Sequence, residues 1–371
     1  MPDIALELSR SLAGDLTVAG LRARPVNVPL DPPVQTASGW IEAAPLVLVD
    51  LLTEEGITGR SYIFCYTPVA LAATAELVSR LEELIRGSAV APVAIDARLQ
   101  GAFRLLGPQG LTGMAMAAVD MAAWDALARA AGLPLVRLLG GEARPVPAYG
   151  SLRTMDPSAA AKEAEGLAAL GITAFKVKVG RATVEGDLEA VRAIRGAVGD
   201  QAPVAVDYNQ SLTVPEAVCR ARVLDDEGLL WIEEPTRADD FAGHARIAAQ
   251  AATPIQIGEN WWGHHDLARS LAAGASDVGM ADAMKIGGVT GWLRAAALAA
   301  GGGLPLSSHI FPEFSAHLLA VTPTSHWLEY LDVASAVLTE PVRVEDGHVA
   351  APEVPGAGVD WDETAVRRFA L

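Results

Sequence analysis

Hydrophobic and polar positions follow two different patterns along the chain, and the pattern changes near residue 140. Before that point, residues 15–30 predict an apolar strand and residues 44–64 predict a hairpin. Long Ala- and Leu-rich segments over 68–85 and 112–132 then predict helices. Strands followed by helices indicate a compact α+β domain over residues 1–140.

After residue 140, short apolar strands alternate with amphipathic helices. One helix is predicted over 184–198, where apolar residues recur at intervals of three and four. Repeated strand–helix crossovers predict parallel strands, and eight such strands are the number that closes a barrel. We therefore predict an α/β fold with a closed TIM-like barrel of eight parallel strands over 141–350, and an open doubly wound sheet is the alternative. The last segment, 351–371, leaves this pattern and is predicted to return to the first domain.

Composition and charge narrow the class of protein. The 371 residues carry a formal net charge of −17, which argues against a nucleic-acid partner because phosphate binding requires a basic face. Cys65 and Cys219 do not suggest a disulfide framework, which fits a reducing compartment. No signal-peptide core opens the chain, and no apolar run is long enough to span a membrane. We predict a cytoplasmic protein that binds neither nucleic acid nor membrane.

The predicted barrel strands end in polar or ionisable residues. From Lys178 to Glu329 the successive intervals are 29, 26, 26, 23, 27 and 20 residues, each about the length of one β/α unit. The spacing therefore predicts that these residues lie at the same height, at the carboxyl ends of the strands, where barrel enzymes have their active sites. The set comprises Ser151, Lys178, Asp207, Glu233, Glu259, Asp282, His309 and Glu329.

Asp207, Glu233 and Glu259 come from three consecutive predicted strands. Three converging carboxylates repel one another unless a cation neutralises them. Oxygen ligands from single side chains suit Mg²⁺, which keeps positions open for substrate or water. We therefore predict a magnesium site; three separate salt bridges to Lys or Arg are the alternative.

Two candidate bases are predicted at the barrel mouth. Asp282 precedes His309 on the neighbouring strand, and a carboxylate beside an imidazole fixes its tautomer and raises its basicity. Lys176 and Lys178 alternate along one strand and face the same side, so each is expected to disfavour the charged form of the other. Asn209 is expected to face the barrel interior in the same way.

Lys178 comes early in barrel order and His309 comes late. Across a closed barrel these strand ends fall on opposite sides of the pocket. Two bases that reach the same carbon from opposite faces can invert a stereocentre, because one removes a proton and the other returns one.

Several long motifs give the chain a resemblance to a known family. The chain resembles the enolase superfamily, and within it the mandelate racemase subgroup. The similarity is carried by "FKVKVG", "VDYNQSL", "WIEEPT", "IGENWWG", "DAMKIGGVTGW", "SSHIF" and "HWLEYLD". The resemblance implies an N-terminal capping domain on a (β/α)7β barrel, a homo-octamer, and Mg²⁺-dependent racemisation of a small α-hydroxy acid through an enolate.

The resemblance also implies a role for each candidate residue. Lys178 matches the base for the S enantiomer, and His309, with Asp282 behind it, matches the base for the R enantiomer. Asp207, Glu233 and Glu259 match the magnesium ligands. Lys176 and Glu329 match the groups that hold the substrate carboxylate, with Glu329 donating a hydrogen bond in its protonated form. Ser151 and Asn209 match groups that bind the substrate by hydrogen bonds.

The substrate side chain is less clearly indicated. Phe64, Tyr66 and Ile310 suit an aromatic or apolar group, although the first two also fit ordinary hairpin packing. Ser38 and Trp40, in a predicted capping loop over 31–43, replace the small apolar residues of the subgroup. Two alternatives stay open: dehydration of an acid sugar by the same residues, with His309 protonating the leaving hydroxyl, and a non-catalytic binding protein on the same fold.

Overall fold

The computed structural model describes residues 16–36 and 39–371. Its first domain is a three-stranded antiparallel sheet covered by helices, in the order β1–β2–β3. The predicted hairpin over 44–64 is confirmed as β2 and β3, which pair from Leu46 with Phe64 to Leu52 with Thr58. The elements are β1 (Val18–Thr36), β2 (Gly39–Thr53), β3 (Thr58–Phe64), α1 (Pro68–Ile85), α2 (Pro92–Ala102), α3 (Leu111–Ala130) and α4 (Leu135–Leu138).

The capping loop predicted over 31–43 is wrong. β1 and β2 instead continue as a paired arm, with Val34 opposite Ile41 and Gln35 opposite Trp40. The pairing register shifts between Pro29 and Val34, at the "DPP" segment, because proline cannot donate a hydrogen bond to the neighbouring strand. Ser38 lies outside the described residues.

The second domain is a closed barrel of eight parallel strands. The last strand, β11, pairs with the first, β4, through Leu328 with Ala148 and Glu329 with Tyr149, which excludes the open sheet. The strands are β4 (Val146–Ser151), β5 (Phe175–Lys178), β6 (Val204–Asp207), β7 (Ile232–Glu233), β8 (Ile255–Ile257), β9 (Val278–Asp282), β10 (Leu306–His309) and β11 (Ser325–Tyr330).

Seven helices connect these strands, so the (β/α)7β barrel is confirmed. The helix predicted over 184–198 is α6, and the Thr183 hydroxyl at its start accepts a hydrogen bond from the Gly186 N–H. The helices are α5 (Pro157–Ala169), α6 (Val184–Val198), α7 (Val214–Leu224), α8 (Phe241–Ala248), α9 (His264–Ala273), α10 (Gly288–Gly302) and α11 (Pro312–Ala320).

The C-terminal segment runs back over the first domain. A short strand, β12 (His348–Val349), joins β4, and α12 (Glu363–Phe369) follows. The Trp361 indole donates to the buried Asp50 carboxylate at 2.7 Å, and Arg24 pairs with Glu363 at 2.8 Å. These contacts attach the C-terminal segment to the sheet of the first domain. Within the described residues, no helix combines the length and the apolar character that crossing a bilayer requires.

Candidate active site

Parallel register brings the strand-end residues together. Lys178 pairs with Asp207, and Asp207 pairs with Glu233, so these three lie at one height on neighbouring strands. His309 pairs with Asp282 in the same way. Glu259 departs from the prediction: it lies two residues beyond β8, after Gly258, whose φ of +130° favours glycine.

Several non-glycine residues that follow these strands have left-handed backbone conformations. Asn209, Glu234 and Ile310 have φ values of 43°, 35° and 37°, and Tyr66 on the capping domain has 58°. Such conformations cost free energy and concentrate at functional sites. Here they turn the chain sharply at the barrel mouth, where the candidate residues lie.

An inner pocket with a cavity volume of about 70 Å³ lies between the barrel mouth and the capping domain. Its charged lining residues are Lys176, Lys178, Asp207, Glu259, His309 and Glu329. Its apolar lining residues are Val34, Ile41, Phe64, Ile310, Leu331 and Val333. Tyr66 and Asn209 also line it, and the rings of Phe64 and Tyr66 lie 4.6 Å apart. The paired arm of the capping domain therefore contributes the apolar side chains of Val34 and Ile41 to the pocket.

Three carboxylates form a candidate metal site. Oxygen atoms of Asp207, Glu233 and Glu259 all lie within 4.8 Å of one another. Mg²⁺ binds oxygen at about 2.1 Å, so two of its ligands are at most about 4.2 Å apart, close to the spacing found here. Burial raises the pKa of Glu233 to about 8. The positive charge of Lys176 opposes this rise, and the negative charge of Asp207 adds to it. A divalent cation would relieve this repulsion, so the residues fit the ion.

Neighbouring side chains fix two of these carboxylates. The Asn209 backbone and amide N–H groups donate to Asp207 at 2.7 and 2.8 Å. The Gln256 amide and the Trp231 indole donate to one oxygen of Glu233 at 2.9 and 3.1 Å. Sequence reasoning missed Gln256 and Trp231; Gln256 is the register partner of Glu233, which the strand alignment could have indicated.

Lys176 and Lys178 occupy different electrostatic environments. The Lys176 ammonium contacts Glu233 at 2.6 Å, Glu329 at 2.7 Å and Asp207 at 3.5 Å. Burial disfavours its charge, but these carboxylates outweigh burial and raise the pKa of Lys176 well above its usual range. The expectation that the two lysines suppress each other's charge is therefore wrong for Lys176. The Lys178 ammonium instead donates to the backbone oxygen of Leu152 at 3.3 Å.

His309 and Asp282 form a close pair. The His309 Nδ1 atom lies 2.6 Å from Asp282, and its Nε2 atom faces the pocket, 3.3 Å from Glu259. Burial alone would lower the pKa of His309, but Glu259 and the bond to Asp282 outweigh it and raise the pKa to about 9.

Glu329 differs from the protonated state that the resemblance implies. Burial favours its neutral form, but the charges of Lys176 and His309 prevail and lower the pKa of Glu329 to about 2. Its carboxylate also accepts a hydrogen bond from the Ile310 N–H at 3.2 Å. In the arrangement seen here Glu329 is ionised.

Two buried polar atoms of pocket-lining residues have no hydrogen-bond partner among the described residues: the Tyr66 hydroxyl and the Asn209 carbonyl oxygen. The Ser151 hydroxyl, at the end of β4, is also unpaired, but Ser151 is not among the residues that line the pocket. Leaving a buried polar atom unpaired costs about 1–3 kcal/mol, so a polar ligand would satisfy them. Trp40, in contrast, is 60% exposed and lies outside the inner pocket, in the wider cleft that opens from it.

Family models match both domains. The model for the mandelate racemase/muconate lactonizing enzyme N-terminal domain matches residues 18–140, and the enolase C-terminal domain-like model matches residues 159–365. The chain belongs to the mandelate racemase/muconate lactonizing enzyme family of the enolase superfamily. The family resemblance inferred from the sequence motifs is thereby confirmed.

Known relatives differ in the reactions that their names record. An enolase from Bradyrhizobium, crystallised with magnesium and mandelic acid, is 44% identical, with a TM-score of 0.90 and coverage of 96% of this chain and 99% of its own. The 3,6-anhydro-α-L-galactonate cycloisomerase of Streptomyces coelicolor is 33% identical over 88% of this chain and 91% of its own. The L-talarate/galactarate dehydratase of Salmonella typhimurium is 33% identical over 71% of this chain and 67% of its own length.

The predicted cofactor is confirmed at the level of the family. Enolase superfamily members depend on Mg²⁺, and solved relatives of this chain contain it. The chain is therefore a Mg²⁺-dependent enzyme of this superfamily.

Proposed function

We propose that this protein is a Mg²⁺-dependent racemase of an α-hydroxy carboxylate with an apolar or aromatic side chain, mandelate or a close relative. The observation that carries the proposal is that Lys178 and His309, the latter bonded to Asp282, line one pocket from separated strands. Lys178 lies on β5 and His309 lies on β10. Going around the barrel, β6 to β9 separate these two strands in one direction, and β11 and β4 separate them in the other. The acid cluster lies between them, at the ends of β6 and β7 and beyond β8.

In the proposed reaction, Lys178 takes the α-proton of the S enantiomer. His309, protonated and held by Asp282, delivers a proton to the opposite face of the same carbon, and the reverse reaction exchanges the two roles. Asp207, Glu233 and Glu259 would hold Mg²⁺, which when bound acts as a Lewis acid on the substrate carboxylate.

The remaining groups position the substrate. Lys176 is fixed as a cation and stabilises negative charge on the substrate carboxylate as the enolate forms. A substrate carboxylate that enters beside Glu329 raises the pKa of Glu329, which favours its protonated, donating form during the reaction. Ser151 and Asn209 are proposed to bind the substrate through their unpaired polar atoms. Phe64, Tyr66 and Ile310 receive the apolar side chain.

Two features support this substrate class. Six apolar side chains line the inner pocket together with its charged residues. The 44% identical relative from Bradyrhizobium was crystallised with mandelic acid. Dehydration of an acid sugar is the second candidate, since the Salmonella relative is a sugar-acid dehydratase.

One panel of substrates distinguishes the two reactions. Each enantiomer of several α-hydroxy acids and a set of acid sugars would be incubated with enzyme and Mg²⁺. Racemisation is followed by polarimetry, and dehydration is followed by the appearance of a 2-keto-3-deoxy acid. The proposal predicts loss of optical rotation with mandelate-like acids. Formation of a keto acid from acid sugars, with no racemisation of the α-hydroxy acids, would refute the proposal and favour dehydration instead. The homo-octamer implied by the family resemblance stays a prediction that light scattering tests.

A further inference from the structure

A third lysine, Lys285, lies beside the acid cluster and has no part in the proposed reaction. Lys285 is 7% exposed and lies in the segment between β9 and α10. Its backbone N–H donates to Asp282 at 3.0 Å. Its ammonium donates to the Asn260 carbonyl oxygen at 2.6 Å and lies 4.6 Å from the centre of the Tyr66 ring. A nearly buried ammonium bonded to an amide, rather than to a carboxylate, carries a desolvation cost that calls for an explanation.

The partner of Lys285 leads directly to the acid cluster. The Asn260 amide nitrogen donates to both oxygens of Glu234, at 3.0 and 2.9 Å, and to Glu259 at 3.1 Å. Glu234 is 1% exposed and follows Glu233 directly. One amide group therefore restrains two carboxylates, and the contacted oxygen of Glu259 is not the one that faces His309.

The charge of Lys285 determines which way this amide points. An ammonium can only donate hydrogen bonds, so it binds the carbonyl oxygen of Asn260 and leaves the NH₂ group facing the carboxylates. Turned by 180°, the amide would present its oxygen to Glu234 and Glu259, which are acceptors themselves. The Lys285 ammonium also lies over the Tyr66 ring, and this cation–π contact helps to hold the ammonium in place.

We infer that Lys285 and Asn260 form a positioning pair that fixes the Glu259 carboxylate for Mg²⁺ binding. The inference rests on the proposed assignment of Glu259 as a metal ligand, and it assigns to Lys285 no contact with the reacting atoms.

The test measures Mg²⁺ affinity by isothermal titration calorimetry, with Mg²⁺ as the titrant and no substrate present. Residues behind metal ligands commonly contribute 10- to 100-fold in metal affinity, so Lys285→Met should weaken Mg²⁺ binding about 10-fold or more. Activity of this variant should recover as Mg²⁺ is raised to saturation. Lys162→Met, which changes an exposed lysine on α5, is the matched control and should bind Mg²⁺ like the unmodified protein.

A second variant keeps the inference testable if Lys285→Met fails to fold. Asn260→Leu removes the amide at similar volume and should weaken Mg²⁺ binding comparably. Because Lys285 acts through Asn260, the double variant should bind Mg²⁺ no more weakly than Asn260→Leu alone. Mg²⁺ affinity within twofold of the unmodified protein in a folded Lys285→Met or Asn260→Leu variant would overturn the inference. Losses that simply add in the double variant would also overturn it.

The same titrations separate this inference from the proposed function. Glu259→Gln should abolish Mg²⁺ binding, and retained binding would remove the metal-ligand assignment on which both depend. If Mg²⁺ binds and the Lys285 effect is present but no α-hydroxy acid is racemised, the proposed reaction fails and the positioning pair stands.

Discussion

Replacing Asp120 by asparagine should remove a pH-dependent loss of stability at the interface between the two domains. Asp120 lies on α3 of the capping domain, is 3% exposed, and accepts a hydrogen bond from the Thr290 N–H at 2.9 Å, near the start of α10 in the barrel. The Thr290 hydroxyl donates to its other oxygen. Gly288 allows this approach, because a side chain there would collide with the carboxylate.

The magnitude follows from the burial of this carboxylate. Burial raises the pKa of Asp120 from an ordinary 3.8 to about 7, against the hydrogen bonds from Thr290; the charge of Asp96 adds to the rise, and that of Arg294 opposes it. Between these pH values the folded protein keeps a proton that the unfolded chain has lost. The stability contributed by this group is therefore complete below about pH 4 and is lost as the pH rises to about 7. At about 1.36 kcal/mol per pH unit, the total loss is roughly 4 kcal/mol.

Urea unfolding at pH 5, 6, 7 and 8, followed by circular dichroism, measures the effect. Asparagine does not titrate; its single oxygen can accept from the Thr290 N–H, and its NH₂ group can donate to the Thr290 hydroxyl oxygen. The free energy of unfolding of Asp120→Asn should therefore rise relative to that of the unmodified protein by roughly 3 kcal/mol between pH 5 and 8. Glu83→Gln, which removes an exposed carboxylate from α1, corrects for the change in net charge. Parallel pH profiles for Asp120→Asn and the unmodified protein would refute the reasoning.

Three further predictions concern the site. Glu233→Gln should nearly abolish activity while leaving circular dichroism unchanged, because the metal loses a ligand; full activity in excess chelator would contradict it. Phe64→Ala should lower kcat/KM for mandelate about 10- to 100-fold relative to lactate, because an apolar contact of the ring is lost; an unchanged ratio would place Phe64 outside the substrate site. Trp40→Thr should alter kcat/KM for acids with long side chains that reach the outer cleft and leave mandelate unaffected. Equal changes in kcat/KM for mandelate and for the long-chain acids, measured across a series of substituted substrates, would contradict the placement of Trp40 in the outer cleft.

The sequence predicts the barrel and most of the site because both depend on a short repeat. Lys178, Asp207 and Glu233 end successive strands, and equal β/α lengths place them in register. The spacing alone does not show how Glu259 reaches the same site, since β8 ends at Ile257 and the turn depends on the backbone torsion of Gly258.

The charge states of the site residues could be inferred only from the three-dimensional structure. From alternation alone, Lys176 has Lys178 as its nearest charged neighbour, and mutual repulsion is the natural expectation. The structure adds Glu233 and Glu329 at 2.6 and 2.7 Å, from strands distant in sequence, and their attraction reverses the expected direction. Lys285 and Asn260 escaped the sequence reasoning for a similar reason, because neither ends a strand and their link depends on a contact between two loops.

The measurement that tests the central claim most directly is exchange of the α-proton with solvent deuterium, followed by NMR for each enantiomer separately. In His309→Asn, the S enantiomer should still exchange through Lys178, whereas the R enantiomer should not, because no base faces its proton. In Lys178→Met the pattern should reverse. Asp282→Asn should resemble His309→Asn, because the imidazole loses the acceptor that orients it. Loss of exchange for both enantiomers in one variant and for neither in the other would contradict the assignment of two bases to opposite faces.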